Sequence, residues 1–290
     1  MGVMNLGISL GGILARPLAS LITAFGWRVA LVTAGVTIWV VGLPLAFVVR
    51  HRPEQYGYLP DGRAPEPAPI ADRATGAVAA PSASGGSSWD QDPEFSPKQA
   101  LKTLAFWSIA LTFSARLLVT GSVALFLVPL LQERGMSLID AATVVSLMAF
   151  IGMPGRVGFA WLGDHYDKRW VIAFCFICQS VGLILFTVLG GTIGIAFFLI
   201  LYSPTYSGVL PLIPALQAEY FGRKWFATIR GLMAPIATIS TVAGPMLVSL
   251  VHDLTGSYES AFAVLGMANL VALAFIMITR KPRDPVFAAA

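Results

Sequence analysis

Arg156 and Arg116 are the residues of this sequence best suited to chemistry with an anion, because each stands inside a long apolar run. A guanidinium offers five N–H donors in a planar fork that matches a carboxylate, and it stays charged at physiological pH. Burying such a cation in an apolar span costs about 2.5 kcal/mol or more, a cost that a bidentate anion would offset. Arg156 lies eight positions before Asp164, so on a helix its Cα is ~12 Å from the polar loop, too deep for full snorkelling. The competing reading has Arg156 reaching down to Asp164 or to helix-end carbonyls. Arg116 is about midway through a run without Asp or Glu. Its competing reading is a structural contact with helix-end carbonyls or with a segment absent from the chain. Arg16, beside Pro17, is a third arginine within a run, with a weaker claim on substrate.

A second group of charges suits switching rather than binding. Asp164, Lys168 and Arg169 lie in GDHYDKRW between two apolar runs, and Glu219, Arg223 and Arg230 occupy the next polar loop on the same side. Short charged loops of this kind pair with a neighbouring helix end in one state and separate in the other, a latch for alternating access. The plainer alternative is that they only set topology.

The elements that must position these residues are membrane spans. Hydrophobic residues make up 56% of the chain and charged ones 12%, which excludes an ordinary soluble domain. Eight runs of roughly 20 residues are long enough to cross the bilayer core as helices: 3–24, 28–49, 105–130, 138–161, 170–189, 192–214, 231–251 and 260–279. Barrel strands are half that length and alternate in polarity, so the fold class is all-α, a polytopic membrane helix bundle of about eight spans. The start lacks the basic n-region and cleavage site of a signal peptide. Cys175 and Cys178 share one span with no second pair, which reads as core rather than metal or disulfide. HExxH-like or paired-carboxylate constellations are missing from the spans, so neither an enzyme nor a cofactor or metal is expected.

With eight spans the loops alternate, and fourteen of the 19 basic residues fall on the side of both termini against Arg28 and Arg134 opposite. That positive-inside bias puts both termini in the cytoplasm, in the cell (inner) membrane, with membrane lipids rather than nucleic acid as partners of the charge. Residues 51–104 are rich in Pro, Ala, Gly and Ser and read as a cytoplasmic linker, with Ser96 and Pro97 suited to cap a helix at its end. Residues 1–50 hold two spans and 105–290 hold six. Pro17 to Pro53 and Pro245 to Pro282 bracket similar hairpins, each with a Pro in the first span, a Gly-containing outer loop and a closing basic cluster. Either any two apolar hairpins look alike, or the chain repeats and 1–50 are the last two helices of a six-helix half, with four more expected before Met1.

The sequence resembles the major facilitator superfamily, within it the monocarboxylate transporter and oxalate/formate antiporter-like group. The family's loop motif is similar to Ala160 through Arg169, with Ala160 and Asp167 in place of the two glycines and His165 in place of the first basic residue. GWR followed by RPEQYGYLPDG, then AEYFGRKWFATIRG, and GP with DLTGSY extend the likeness over nearly the whole chain. The resemblance implies an incomplete facilitator fold, the fifth to twelfth helices, and secondary transport of a small organic anion by alternating access. It implies that Arg156 binds substrate carboxylate and leaves a proton or a counter-anion as the coupling partner. Residues 232–251 carry no Lys or Arg where antiporter members hold a second cation, which favours a monocarboxylate over oxalate. The alternative is a truncated, non-transporting membrane protein or scaffold that needs another chain to complete its cavity.

Overall fold

The structure is a computed structural model that describes residues 6–48 and 95–282. The linker expected at 51–104 lies outside the described residues except for its end. There, Ser96 accepts the Gln99 N–H while Gln99 accepts the Ser96 N–H, a capping box with Pro97 in the first turn, as the sequence leads one to expect. Contacts divide the chain into two units, Met1–Ser20 with Asp92–Ala290, and Leu21–Gln91.

All described elements are helical. They are α1 (Leu6–Ile13), α2 (Ala15–Phe25), α3 (Trp27–Val48), α4 (Pro97–Leu101), α5 (Leu104–Glu133), α6 (Leu138–His165) and α7 (Lys168–Leu189). Then come α8 (Gly191–Phe197), a π-helical turn (Phe198–Tyr202), α9 (Ser203–Phe221), α10 (Phe226–Thr255) and α11 (Tyr258–Ile278). Seven helical stretches among the described residues are long and apolar enough to cross a membrane, with α8, the π turn and α9 forming one of them. The eighth expected run, 3–24, differs: it is broken into α1 and α2 at Leu14. Pro17 has no N–H to give the Ile13 carbonyl and its ring crowds that carbonyl, so the helix parts there. One side chain repairs the break. Ser146 Oγ accepts the Arg16 N–H at 3.0 Å and donates to the Ile13 carbonyl at 3.0 Å.

Packing within the larger unit is set by small residues. A Cβ on Gly155 would stand 2.3 Å from the Pro204 carbonyl oxygen, one on Gly152 2.3 Å from Ser207 Oγ, and one on Gly208 2.5 Å from the Phe159 ring. These positions let α6 and α9 approach more closely than larger side chains permit. Gly158 meets nothing within 4 Å, and the same holds for Gly7 and Gly11; in α1 it is Gly12 that packs, on Ala149. Two apolar clusters fill the bundle. One holds Phe106, Ile172, Phe176, Leu212 and Ile276, the other Leu127, Phe186, Phe198, Phe262 and Leu265.

Candidate functional site at mid-depth of the bundle

Between the two apolar clusters five of the helices carry polar residues at the same level. These are Ser114 and Arg116 on α5, Arg156 on α6, Gln179 and Ser180 on α7, Ser203 and Ser207 on α9, and Asn269 on α11, all buried. Arg116 stands twelve residues into α5 and Arg156 nine residues before the end of α6, or about 18 and 14 Å along their axes. The helices run oppositely, so the two depths nearly coincide.

The structure brings both arginines to α9. Arg116 is 3% exposed, donates from Nη2 to the Tyr206 carbonyl at 3.1 Å, and has its guanidinium 5.8 Å from the Tyr206 ring centre. Arg156, also 3% exposed, is within electrostatic reach of Tyr206 and of Arg116. The groups acting on Arg116 are Tyr206, Tyr202, Cys175 and Arg156, none of them a carboxylate. Its Nε hydrogen has no acceptor, nor do the neighbouring Tyr202 and Ser114 hydroxyls have partners. Two cations at one depth, beside unsatisfied donors, form an arrangement that an incoming anion completes and that no acid of α5 neutralises.

Tyr206 and Tyr202 are the residues of this cluster that the arginines alone do not reveal in the sequence. Their spacing was a usable signal, because Phe198, Tyr202 and Tyr206 recur every four residues on one helix face. The rings form a ladder, Phe198 on Tyr202 at 4.9 Å and Tyr202 on Tyr206 at 5.7 Å. The π turn lies at the start of this ladder, just before Pro204, which lacks the N–H of a regular helix. Arg16 does not join this cluster: it stands exposed on the surface of α2, beside the break at Leu14.

The expected latch residues divide into three places. Asp164, Lys168, Glu219 and Arg223 line one groove of about 660 Å³ between the ends of α6 and α9 and the starts of α7 and α10. Across it Lys168 Nζ pairs with Glu219 Oε2 at 2.8 Å. Arg169 turns away to the C-terminal carbonyls of α11, donating to Ile276 at 3.1 Å and to Met277. Arg230 lies over the Phe226 ring at 6.0 Å. The loop expected to hold Glu219, Arg223 and Arg230 is shorter than that, since Glu219 belongs to α9 and Arg230 to α10. Cys175 and Cys178 are free thiols. The described residues hold no cluster of His, Cys, Asp or Glu suited to a metal.

The sequence is similar to known transporters rather than to enzymes. It is 23% identical over 286 residues to the 4-hydroxybenzoate transporter PcaK of Pseudomonas putida, covering 90% of this chain and 59% of PcaK. It is 28% identical over 156 residues to monocarboxylate transporter 13 of Rattus norvegicus, covering 53% of this chain and 36% of that protein. The match thus spans about three fifths of the length of PcaK and little more than a third of that of the monocarboxylate transporter. In structure it resembles a variant of the Escherichia coli fucose:proton symporter FucP, with a TM-score of 0.56 at 16% identity over 64% of this chain and 46% of that one, a likeness of fold. The profile of the Major Facilitator Superfamily matches residues 1–245, and so the all-helical, membrane-spanning chain belongs to that superfamily.

Proposed function

We propose that this protein takes part in secondary transport of a small organic monocarboxylate by alternating access, with Arg116 and Arg156 holding the carboxylate. The observation that carries this reading is the convergence of the two arginines on Tyr206 at one buried depth. Two guanidiniums side by side repel each other, and a shared carboxylate between them replaces repulsion with charge-assisted hydrogen bonds. PcaK and the monocarboxylate transporters, by their names, act on acids that share a single carboxylate. In this reading residues 1–50 are the last two helices of one half, 51–104 the linker and 105–290 the six-helix half. Asp164, Lys168, Glu219 and Arg223 latch the cytoplasmic end, with Arg169 and Arg230 supporting it from α11 and α10.

The test is binding of labelled 4-hydroxybenzoate and of a short aliphatic monocarboxylate to the purified 290-residue chain, followed by counterflow in proteoliposomes. Arg116→Ala and Arg156→Ala each lower affinity roughly tenfold to a hundredfold, the worth of a charged hydrogen-bonding pair. Unchanged affinity in both variants, with the wild type binding, overturns the assignment. Uptake driven by a proton gradient marks proton coupling, and uptake driven by internal carboxylate marks anion exchange. Binding without either places the chain among membrane proteins that need a second chain.

A further inference from the structure

The cytoplasmic-side corner where α11 ends between α5 and α7 carries features that neither substrate binding nor the latch uses. We propose that it is a binding site for an anionic phospholipid, with the headgroup phosphate on Lys102, Arg280 and Lys281 and an acyl chain along α11. These three cations are exposed. The segments that carry them are tied together by buried stitching: Thr279 Oγ1 donates to Ser108 Oγ at 2.8 Å, joining the end of α11 to the first turns of α5, and Arg169 clamps the Ile276 and Met277 carbonyls from α7. The clamp keeps Arg169 on α11's own carbonyls and leaves Arg280 and Lys281 for a ligand. Asp167, the acid beside this corner, spends Oδ1 on the Arg169 backbone N–H. The other basic pair, Arg223 and Lys224, differs because Asp164 and Glu219 face Arg223 in the latch groove.

What lies beneath the cations selects a lipid over a free phosphate. Met267, Leu270, Val271 and Ile278 form an exposed apolar stripe on α11 at helical spacing, 65%, 43%, 51% and 51% exposed, that leads to Arg280. Its length, from Met267 to Ile278, is about 16 Å, the depth of one leaflet's hydrocarbon. Trp107, next in sequence to the Ser108 that holds Thr279, is 47% exposed and donates its indole N–H to the Leu101 carbonyl at 3.0 Å. An indole with its polar edge held in place at the end of an apolar stripe is the usual companion of an interfacial headgroup. A doubly acylated lipid with a net negative head meets all three features, while a zwitterionic one gains nothing from the third cation.

The experiment reconstitutes the whole chain in phosphatidylcholine bilayers containing a minority of phosphatidylglycerol, extracts it gently, and counts retained lipids by native mass spectrometry. The wild type retains phosphatidylglycerol in preference to phosphatidylcholine. Lys102→Gln with Arg280→Gln and Lys281→Gln reduces that retention by about fivefold per charge removed, while Arg223→Gln with Lys224→Gln leaves it unchanged. Equal losses in the two variants mean a diffuse charge effect and overturn the site, as does retention unaltered in the first. In a second measurement brominated phosphatidylglycerol quenches Trp107, read as the difference from Trp107→Phe, and inorganic phosphate does not relieve the quenching. Relief by phosphate, or no quenching at all, overturns the role of the acyl chain.

Discussion

Arg116 shows how a single residue's surroundings separate binding from structure. Its one hydrogen bond, to the Tyr206 carbonyl, is a structural contact of the kind that the sequence left open, yet Nε still lacks an acceptor. Arg116→Lys keeps the charge but loses the fork, so it holds either the Tyr206 carbonyl or a ligand and not both. Carboxylate affinity falls in that variant by roughly tenfold or more, at a melting temperature close to wild type, measured by ligand titration and thermal unfolding. The Lys168–Glu219 pair behaves differently, because its side chains are 21% and 44% exposed. A partly exposed pair contributes about 0–1 kcal/mol, so Lys168→Glu changes stability little. Its expected effect is on transport rate, restored in the swap Lys168→Glu with Glu219→Lys; a swap that leaves the rate low removes the pair from the latch. The buried arginines were legible in the sequence because charge in an apolar run is rare. Tyr206 was not, since its contribution is a carbonyl oxygen that any residue would supply.

At the scale of elements, helix identity was readable and helix continuity was not. Apolar length marked seven spans with ends within seven residues of the helix ends, but Pro17 broke the run at 3–24 while Pro44, Pro129, Pro154 and Pro245 sit inside continuous helices. An opened turn at a proline is tolerated where another helix satisfies the groups it frees. At Pro17 the neighbour is Ser146, one hydroxyl serving both the Ile13 carbonyl and the Arg16 N–H. Ser146→Ala strands both groups at a cost of about 1–3 kcal/mol, and amide exchange around Arg16 quickens while that of α7 and α11 stays slow. Glycines follow the same logic. Gly155→Ala drives a methyl into the Pro204 backbone, which cannot yield as a flexible side chain would, and costs about 1–3 kcal/mol. Gly158→Ala meets open space and is neutral or stabilising by up to ~1 kcal/mol through helix propensity. Equal melting temperatures for the two variants would contradict the close α6–α9 packing. The sequence shows Gly152, Gly155 and Gly158 as one series, and only the facing residues of α9 distinguish them.

At the scale of the whole molecule, orientation in the bilayer follows from how the charges are held at the two rims of the larger unit. One rim consists of the turns after α5, α7 and α10, where Arg134 is the basic residue among those described. That cation is consumed: its Nε bonds Glu259 at 2.8 Å, its Nη2 the Phe186 carbonyl at 3.0 Å, and its guanidinium lies 4.4 Å from the Phe186 ring centre. The other rim carries Lys98, Lys102, Lys168, Arg169, Arg223, Lys224, Arg280 and Lys281. The positive-inside rule predicts that this second rim, with eight Lys and Arg against one, faces inward. The expected outcome is that single cysteines at Gly135 and Gly256 react with an impermeant maleimide in intact cells, whereas cysteines at Tyr166 and Lys224 react only after permeabilisation. Both turns at Gly135 and Gly256 use a positive φ, 83° and 71°, so labelling should be read in variants shown to fold. Arg134→Glu tests the charge argument itself. It places an acid against Glu259 and destabilises the α5–α11 junction, but removes no inward cation, so the labelling pattern stays as in the parent while the melting temperature falls. A reversed pattern in that variant would mean that Arg134, and not the eight cations opposite, sets the orientation.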